Sequence, residues 1–314
     1  MAKTKKNPTV SIIIATYNRA HYIGRAIQSV LNQTYQDFEV IIVNDASTDD
    51  TEEVVKSFND ERLRYIQLSK NSGGAPVPRN AGIRAARGEY IAFLDDDDEW
   101  LPEKLEKQVN KFKSVSSDVG VVYHGYVYVN EQTGEKLFEV IPDKKGDVFE
   151  LLLEKGIVGD TTPLVRKECF KRVGLYDTEF LGTYDRDMWL RVAKCYKFDF
   201  VPEILAKYYM HGNQNIASLE NRIQGLDRIT RKYQVYLSKA VFTNRLRYLG
   251  TLCCLQGGFE KGSRYFREAI NNNPRNVIVY MQFMLCKFAP RFYQARIRRR
   301  MTEAVNKRGE IFLW

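Results

Sequence analysis

The amino-acid sequence predicts an α/β protein, with a doubly wound, mostly parallel sheet followed by a small α-helical C-terminal region. Three observations carry this. Short, wholly apolar runs, the pattern of strands buried on both faces, recur through the first hundred residues. Segments of helical periodicity separate them, and a βαβαβαβ order argues for parallel strands with helical crossovers. After about residue 215 strand signals stop and helical ones run to the end.

The first strand is residues 10–15, and Ile23, Ile27, Val30 and Leu31 follow at helical spacing. Residues 38–43 form the second strand. Asp49, with Glu52 three residues on, predicts a helix cap before Val54, Val55 and Phe58. Residues 63–68 are the third strand. Asn71-Ser72-Gly73-Gly74 then breaks the chain before a short helix over 79–86. Residues 90–94 are the fourth strand, which ends in four aspartates. Beyond it the pattern predicts a charged helix over 102–114 and a hairpin built on 119–129 and the turn at 131–134. Helices follow at 147–154, 167–173 (ended by Gly174) and 184–195, and strands at 197–200 and 204–209. In the tail, Leu249-Gly250, Gly257, Gly262, Phe266, Ala269 and Pro274 fall at tetratricopeptide spacing. One such unit cannot bury its own face, so it must pack on the main domain, on neighbours in the tail or on another subunit.

Composition narrows the class. The 314 residues suit one large domain or a domain with an appendage, and 44% hydrophobic content suffices for a sizeable core. No apolar run reaches the roughly 18 residues of a membrane span. The basic start, Met1 to Asn7, is not followed by a signal-type apolar run, so the expected location is cytoplasmic. Cys169, Cys195, Cys253, Cys254 and Cys286 contain no Cys-x-x-Cys pair, which argues against zinc and for reduced core thiols. Charge is uneven. Residues 221–314 hold 19 Lys+Arg against 5 Asp+Glu, while residues 1–220 hold 29 against 34. Such asymmetry predicts a tail that meets an anionic surface. Residues 277–300 run from an apolar start to an arginine-rich end, which suits an anionic membrane or a packed helix with a solvated basic face. No nucleic-acid motif accompanies the charge.

Five constellations could carry chemistry. Thr16-Tyr17-Asn18-Arg19 closes the first strand at the sheet edge where α/β sheets bind ligands, although Asn18 could equally be a cap. Asn44-Asp45-Ala46-Ser47 closes the second, where a carboxylate can accept hydrogen bonds from a uracil ring or ribose. Asp95, Asp96, Asp97 and Asp98 repel one another at the end of a buried strand, and a divalent cation such as Mg²⁺ or Mn²⁺ is the usual reason to hold such a cluster. Asp185 opens a helix without the partner that Asp187 has in Arg191 four residues on, which favours it as a general base. His211, one of three histidines, follows a strand in Tyr208-Tyr209-Met210-His211-Gly212-Asn213 and could ligate metal.

Together these residues resemble the family-2 glycosyltransferases of GT-A fold, over roughly residues 8–215 and in the family's order. The resemblance includes Ser29-Val30-Leu31-Asn32-Gln33-Thr34, Asn44 through Asp49, Arg79-Asn80-Ala81-Gly82, Phe93 through Trp100, and Gly174-Leu175-Tyr176-Asp177. It implies a nucleotide-sugar-binding catalytic domain over 1–215, with 216–314 a basic helical region. It further implies that Thr16, Tyr17, Asn18 and Asp45 bind the nucleoside end of a donor, most often a UDP-sugar. Arg79 would approach the diphosphate, and Asp95 and Asp97 would be the D-x-D aspartates. In that pattern Asp95 and Asp96 lie on the donor side, Asp97 and His211 hold Mn²⁺ or Mg²⁺, and Asp185 activates the acceptor for an inverting transfer. The acceptor would be a glycan or lipid-linked glycan. Tyr184 stands where the family often has Glu, and the Gln-x-x-Arg-Trp signature of processive synthases is absent. The rival readings are a non-catalytic nucleotide-binding scaffold, an interaction protein working through its helical tail, and a nucleotidyltransferase. Intact Asp97 and Asp185 oppose the first. The last would want a Gly-rich basic loop after the first strand.

Overall fold

A computed structural model describes residues 7–180, 182–211 and 219–308. The chain forms two compact units. The first comprises the described residues of Met1–Leu152, Ile157–Thr178 and Asp185–Gln214, and the second those of Leu153–Gly156, Glu179–Tyr184 and Asn215–Trp314. Gly212, Asn213 and the boundary expected at 215 lie outside the described residues.

The chain opens with β1 (Val10–Thr16), α1 (Ile23–Leu31), β2 (Phe38–Asn44), α2 (Thr51–Lys56), β3 (Leu63–Gln67), α3 (Pro76–Ala85) and β4 (Tyr90–Phe93). Every residue of β2 and of β4 is buried, as their unbroken apolar runs require. Next come β5 (Glu99–Trp100), α4 (Lys104–Ser114), β6 (Val119–Asn130), β7 (Lys136–Val140), α5 (Phe149–Glu154) and β8 (Leu164–Arg166). The alternating strand and helix pattern ends with α6 (Lys167–Val173), α7 (Tyr184–Ala193) and β9 (Lys197–Met210).

The sheet order is β3-β2-β1-β4-β8-β6-β9-β5, with β7 on β6. Strands β3, β2, β1 and β4 are parallel. β8 runs antiparallel to both β4 and β6, and β9 is parallel to β6. Two reversals cancel, so β6 and β9 point the same way as β1, β2 and β4. Their carboxyl ends therefore share one edge, and the residues that lead into β8 arrive at that edge too.

Departures from the sequence reading have local causes. Helix α3 starts at Pro76 rather than 79, because proline at the first helical position forfeits only an N–H that has no helical partner. Residues 197–200 and 204–209 form one strand. Their register against β6 jumps from Val201 opposite His124 to Ile204 opposite Gly125, and Pro202 falls in that bulge, where no ladder N–H is needed. The cap position of α2 is Asp50, without a side-chain cap bond. Asp49 instead accepts from the amides of Ala20 (3.1 Å) and Thr51 (3.2 Å), tying the loop after β1 to the start of α2. β5 and β8 are too short to show a period in the sequence.

The second unit holds α8 (Leu219–Lys232), α9 (Lys239–Leu255), α10 (Phe259–Asn272), α11 (Val277–Phe288) and α12 (Pro290–Arg308). The tetratricopeptide-like spacing is the α9–α10 hairpin, with Leu249, Phe266 and Ala269 fully buried. A Cβ on Gly262 would stand 2.6 Å from the Cys254 sulfur, so the glycine sets how closely the two helices approach. Helices α8, α11 and α12 pack against this pair, so its face is covered within its own unit. None of the five cysteines is in a disulfide. Residues 277–300 are two helices, not one. They leave Val277, Ile278, Tyr280, Met281, Met284, Phe288 and Phe292 exposed. Among the described residues no helix is long and apolar enough to cross a membrane.

Candidate active site

The shared sheet edge gathers the residues singled out from the sequence. At the end of β2, Asp45 is 3% exposed. Its carboxylate accepts from the Ser72 amide (3.0 Å), the Ser72 hydroxyl (2.8 Å) and the Asn71 side chain (3.2 Å). The Asn-Ser-Gly-Gly break is thus the cradle of this aspartate. Asn18 caps no helix. With φ of 53° it bridges the two strand-end loops, its amide donating to the Ser47 hydroxyl (2.8 Å) and its side-chain oxygen accepting from the Thr48 amide (2.7 Å). Thr16 is buried with its hydroxyl toward Asp96, while Tyr17 keeps its ring 37% exposed at the mouth.

The four aspartates after β4 face different partners. Asp95 receives the Arg79 guanidinium at 2.5 Å, and the same side chain reaches Asp160 at 3.8 Å. Arg79 is itself only 2% exposed, so its first anionic neighbour is the Asp95 carboxylate. Arg19 lies 3.7 Å from Asp96 and 3.9 Å from Asp97. Asp98 accepts from the Tyr209 amide at 3.3 Å. Loss of water, then the Asp97 charge, pushes the Asp96 carboxyl up to about 8. Asp98 is pushed well above the usual carboxylate range, first by burial and then by Asp95 and Asp97.

At the end of β9, His211 stacks on Tyr22 with ring centroids 4.6 Å apart and meets Asp97 Oδ2 through Nε2 at 3.0 Å. One carboxylate and one imidazole beside further aspartates suit a Mg²⁺- or Mn²⁺-type cation whose remaining positions would go to phosphate oxygens and water. Among the described residues no cluster of three such side chains forms a self-contained metal cage.

Asp185 lies in the first turn of α7. Partial burial raises its carboxyl, while the Arg186 amide and the Arg79 charge oppose the rise. Asp187 and Arg191 pair at 2.8 Å, the structural role their spacing suggested. Two other motifs serve as struts. Asn80 exchanges hydrogen bonds with the backbone of Tyr176 (2.8 and 2.9 Å), joining α3 to the segment after α6. Gln33 donates to the Leu101 carbonyl (2.9 Å) and accepts from the Leu105 amide (3.0 Å), fixing the chain beyond the aspartates.

Sequence reasoning missed Asp160. It precedes a three-residue strand, has no periodic pattern around it, and is brought to the edge by the reversed direction of β8.

The sequence pattern of the family described as "Glycosyl transferase family 2" matches residues 11–174. The protein of Escherichia coli (strain K12) named for colanic acid biosynthesis, the glycosyl transferase WcaA, is 32% identical over 276 residues, covering 81% of this chain and 96% of its own. Among solved structures, S. aureus TarS 1-349 in complex with UDP-GlcNAc superposes with a TM-score of 0.62 at 20% identity, covering 97% of this chain and 93% of that one. The mannosyltransferase PcManGT from Pyrobaculum calidifontis, in complex with GDP-Man and Mn²⁺, gives 0.58 at 19% identity, with 96% and 87% covered. At these identities the two structures speak for the fold.

Proposed function

We propose that this chain, which belongs to glycosyl transferase family 2, transfers one sugar from a nucleotide-sugar, a UDP-sugar by preference, to a hydroxyl of a glycan or lipid-linked acceptor in cell-surface polysaccharide synthesis. The observation that carries this reading is the meeting, on one sheet edge, of the Asp45 cradle, the aspartates after β4 with His211, and Asp185. WcaA's name lends the polysaccharide context, and TarS and PcManGT are structural relatives solved with nucleotide-sugars.

In this reading Asp45 and Thr16 hold the nucleoside, with the exposed Tyr17 ring against the base. Asn18 keeps the two strand-end loops in place around it. Asp95, set by Arg79, and Asp96 face the ribose and diphosphate. Asp97 and His211 would hold Mn²⁺ or Mg²⁺, which supplies positive charge against the diphosphate leaving group. Asp185 takes the proton of the acceptor hydroxyl, and attack opposite the leaving group inverts the anomeric carbon. The basic tail places the enzyme at the cytoplasmic face of an anionic membrane, where a lipid-linked acceptor resides. Its exposed apolar residues on α11 and α12, beside Arg291, Arg296 and Arg298 to Arg300, support this.

The test is a thermal-shift panel of nucleotide-sugars with Mn²⁺, Mg²⁺ or EDTA. Stabilisation by a nucleotide-sugar that EDTA abolishes is expected, because a ligand bound only to the folded state raises its apparent stability. Silence across the panel favours the non-catalytic scaffold.

A further inference from the structure

Asp160 is unused in the reading above, yet it is held as firmly as the residues that are used. On its C-terminal side the Thr161 amide donates to the Tyr208 hydroxyl (3.0 Å) and the Thr161 carbonyl accepts from the Trp100 indole (2.9 Å). The Thr162 carbonyl accepts from Gln108 (2.9 Å). Three side chains from three elements thus pin the backbone that carries this carboxylate. The carboxylate itself faces Asp185 within hydrogen-bonding reach, with Arg79 on its flank at 3.8 Å.

Two carboxylates in contact cannot both stay ionised away from bulk water, and one shared proton is the stable arrangement. The surroundings decide where that proton sits. Asp185 accepts the Arg186 amide at a helix N-terminus and feels the charges of Arg79 and Arg186, all of which favour its anion. Asp160 is faced by Arg79 from α3, by the anions Asp95 and Asp185, and by the phenols of Tyr126 and Tyr128 on β6, Tyr176, and Tyr208 on β9. Partial burial first, and the Asp185 charge second, hold its carboxyl well above the usual range.

We propose that Asp160 is the positioning partner of the acceptor-side base: it carries a proton bridged to Asp185, turns the free Asp185 oxygen toward the acceptor hydroxyl, and keeps the pair at a single negative charge. This rests on the reading of Asp185 as the base. In the transfer step the acceptor O–H bond breaks and its proton passes to the free Asp185 oxygen. The acceptor oxygen bonds to the anomeric carbon as the bond to the diphosphate breaks and its electron pair leaves with that group. The carboxylate pair ends neutral and returns one proton to water before the next turnover.

The experiment compares pH profiles of kcat for wild type, Asp160→Asn and Asp160→Ala, with donor affinity measured alongside. Wild type has an alkaline limb where Asp160 loses its proton. Asp160→Asn keeps a donor to Asp185 but has no proton to lose, so that limb vanishes while kcat near neutrality falls by about threefold. Asp160→Ala loses roughly tenfold or more in kcat with donor affinity unchanged. A second arm needs no turnover. Infrared difference spectra of the nucleotide-free protein at neutral pH, wild type minus Asp160→Asn, should show one carboxylic acid C=O band beyond those of the raised carboxyls Asp96 and Asp98. An alkaline limb that is missing in wild type or unmoved in Asp160→Asn overturns the proposal. So does an unchanged infrared band, or a kcat loss in Asp160→Ala matched by lost donor affinity. Full transfer by Asp185→Asn would instead remove the base reading itself, and the infrared arm tells the two failures apart.

Discussion

Asp97 and Asp185 stand at opposite ends of one run of chemistry, and single substitutions separate them. Asp185→Asn is expected to lower transfer by about 10²–10⁴ while donor binding in calorimetry stays intact. Near wild-type transfer would take the base role away from Asp185. Asp97→Ala should lose the metal-dependent part of donor binding, and an unchanged titration would count against its place as a ligand. These residues stood out because they follow an apolar strand or open a helix without a charged partner at helical spacing. Asp160 had no such marker. Its position depends on the direction of β8, three residues long, which only pairing with β4 and β6 determines. Arg79 was singled out from the sequence, but its burial against Asp95 was not.

At the scale of elements, the helix after the aspartates carries an unusual load. Lys104 is fully buried on α4, its ammonium 3.5 Å from the Trp100 ring and without a hydrogen-bond partner among the described residues. Burial holds it well below its ordinary value. The unfolded chain therefore binds a proton that the folded chain does not, and stability rises with pH toward the ordinary lysine value near 10. Lys104→Met should raise stability by about 1–3 kcal/mol at neutral pH, with the gain shrinking toward pH 10 in thermal melts. No gain at neutral pH would refute it. Neighbouring His124, held down to about 3 by burial and by Lys104, works over a lower window. Its contribution is present above about 6.5 and is lost as pH falls toward 3. In the second unit, Gly262→Val should cost about 1–3 kcal/mol by driving α9 and α10 apart, measured by the same melts. The strands β1 to β4 and their helices could be read from periodicity because each is long enough to show one. The Pro202 bulge and the two-residue β5 could not, since local pattern does not encode register.

For the whole molecule, the uneven charge is the feature that composition alone revealed, and the exposed apolar residues of α11 and α12 lie in the same stretch of chain. Liposome flotation should capture the protein on anionic but not neutral vesicles, less so at high salt, and the capture should fail in a chain lacking residues 277–314. Equal flotation with and without those residues would sink the membrane placement. The tail's helical nature was legible, but its division at Ala289 and Pro290 into two helices was not.

The contact between Asp97 and His211 spans 114 positions of sequence. On a ribosome, the four aspartates therefore emerge long before the imidazole that meets them, and the carboxylate cluster spends that interval without this partner. Bringing the two together closes a long loop, and the entropy of that closure must be met by the extended β6–β9 pairing that carries His211 into place. Assembly of the first unit is thus expected to finish at its active site, with β9 the last strand to dock and mutations along the β6–β9 ladder acting first on the rate at which activity appears during refolding.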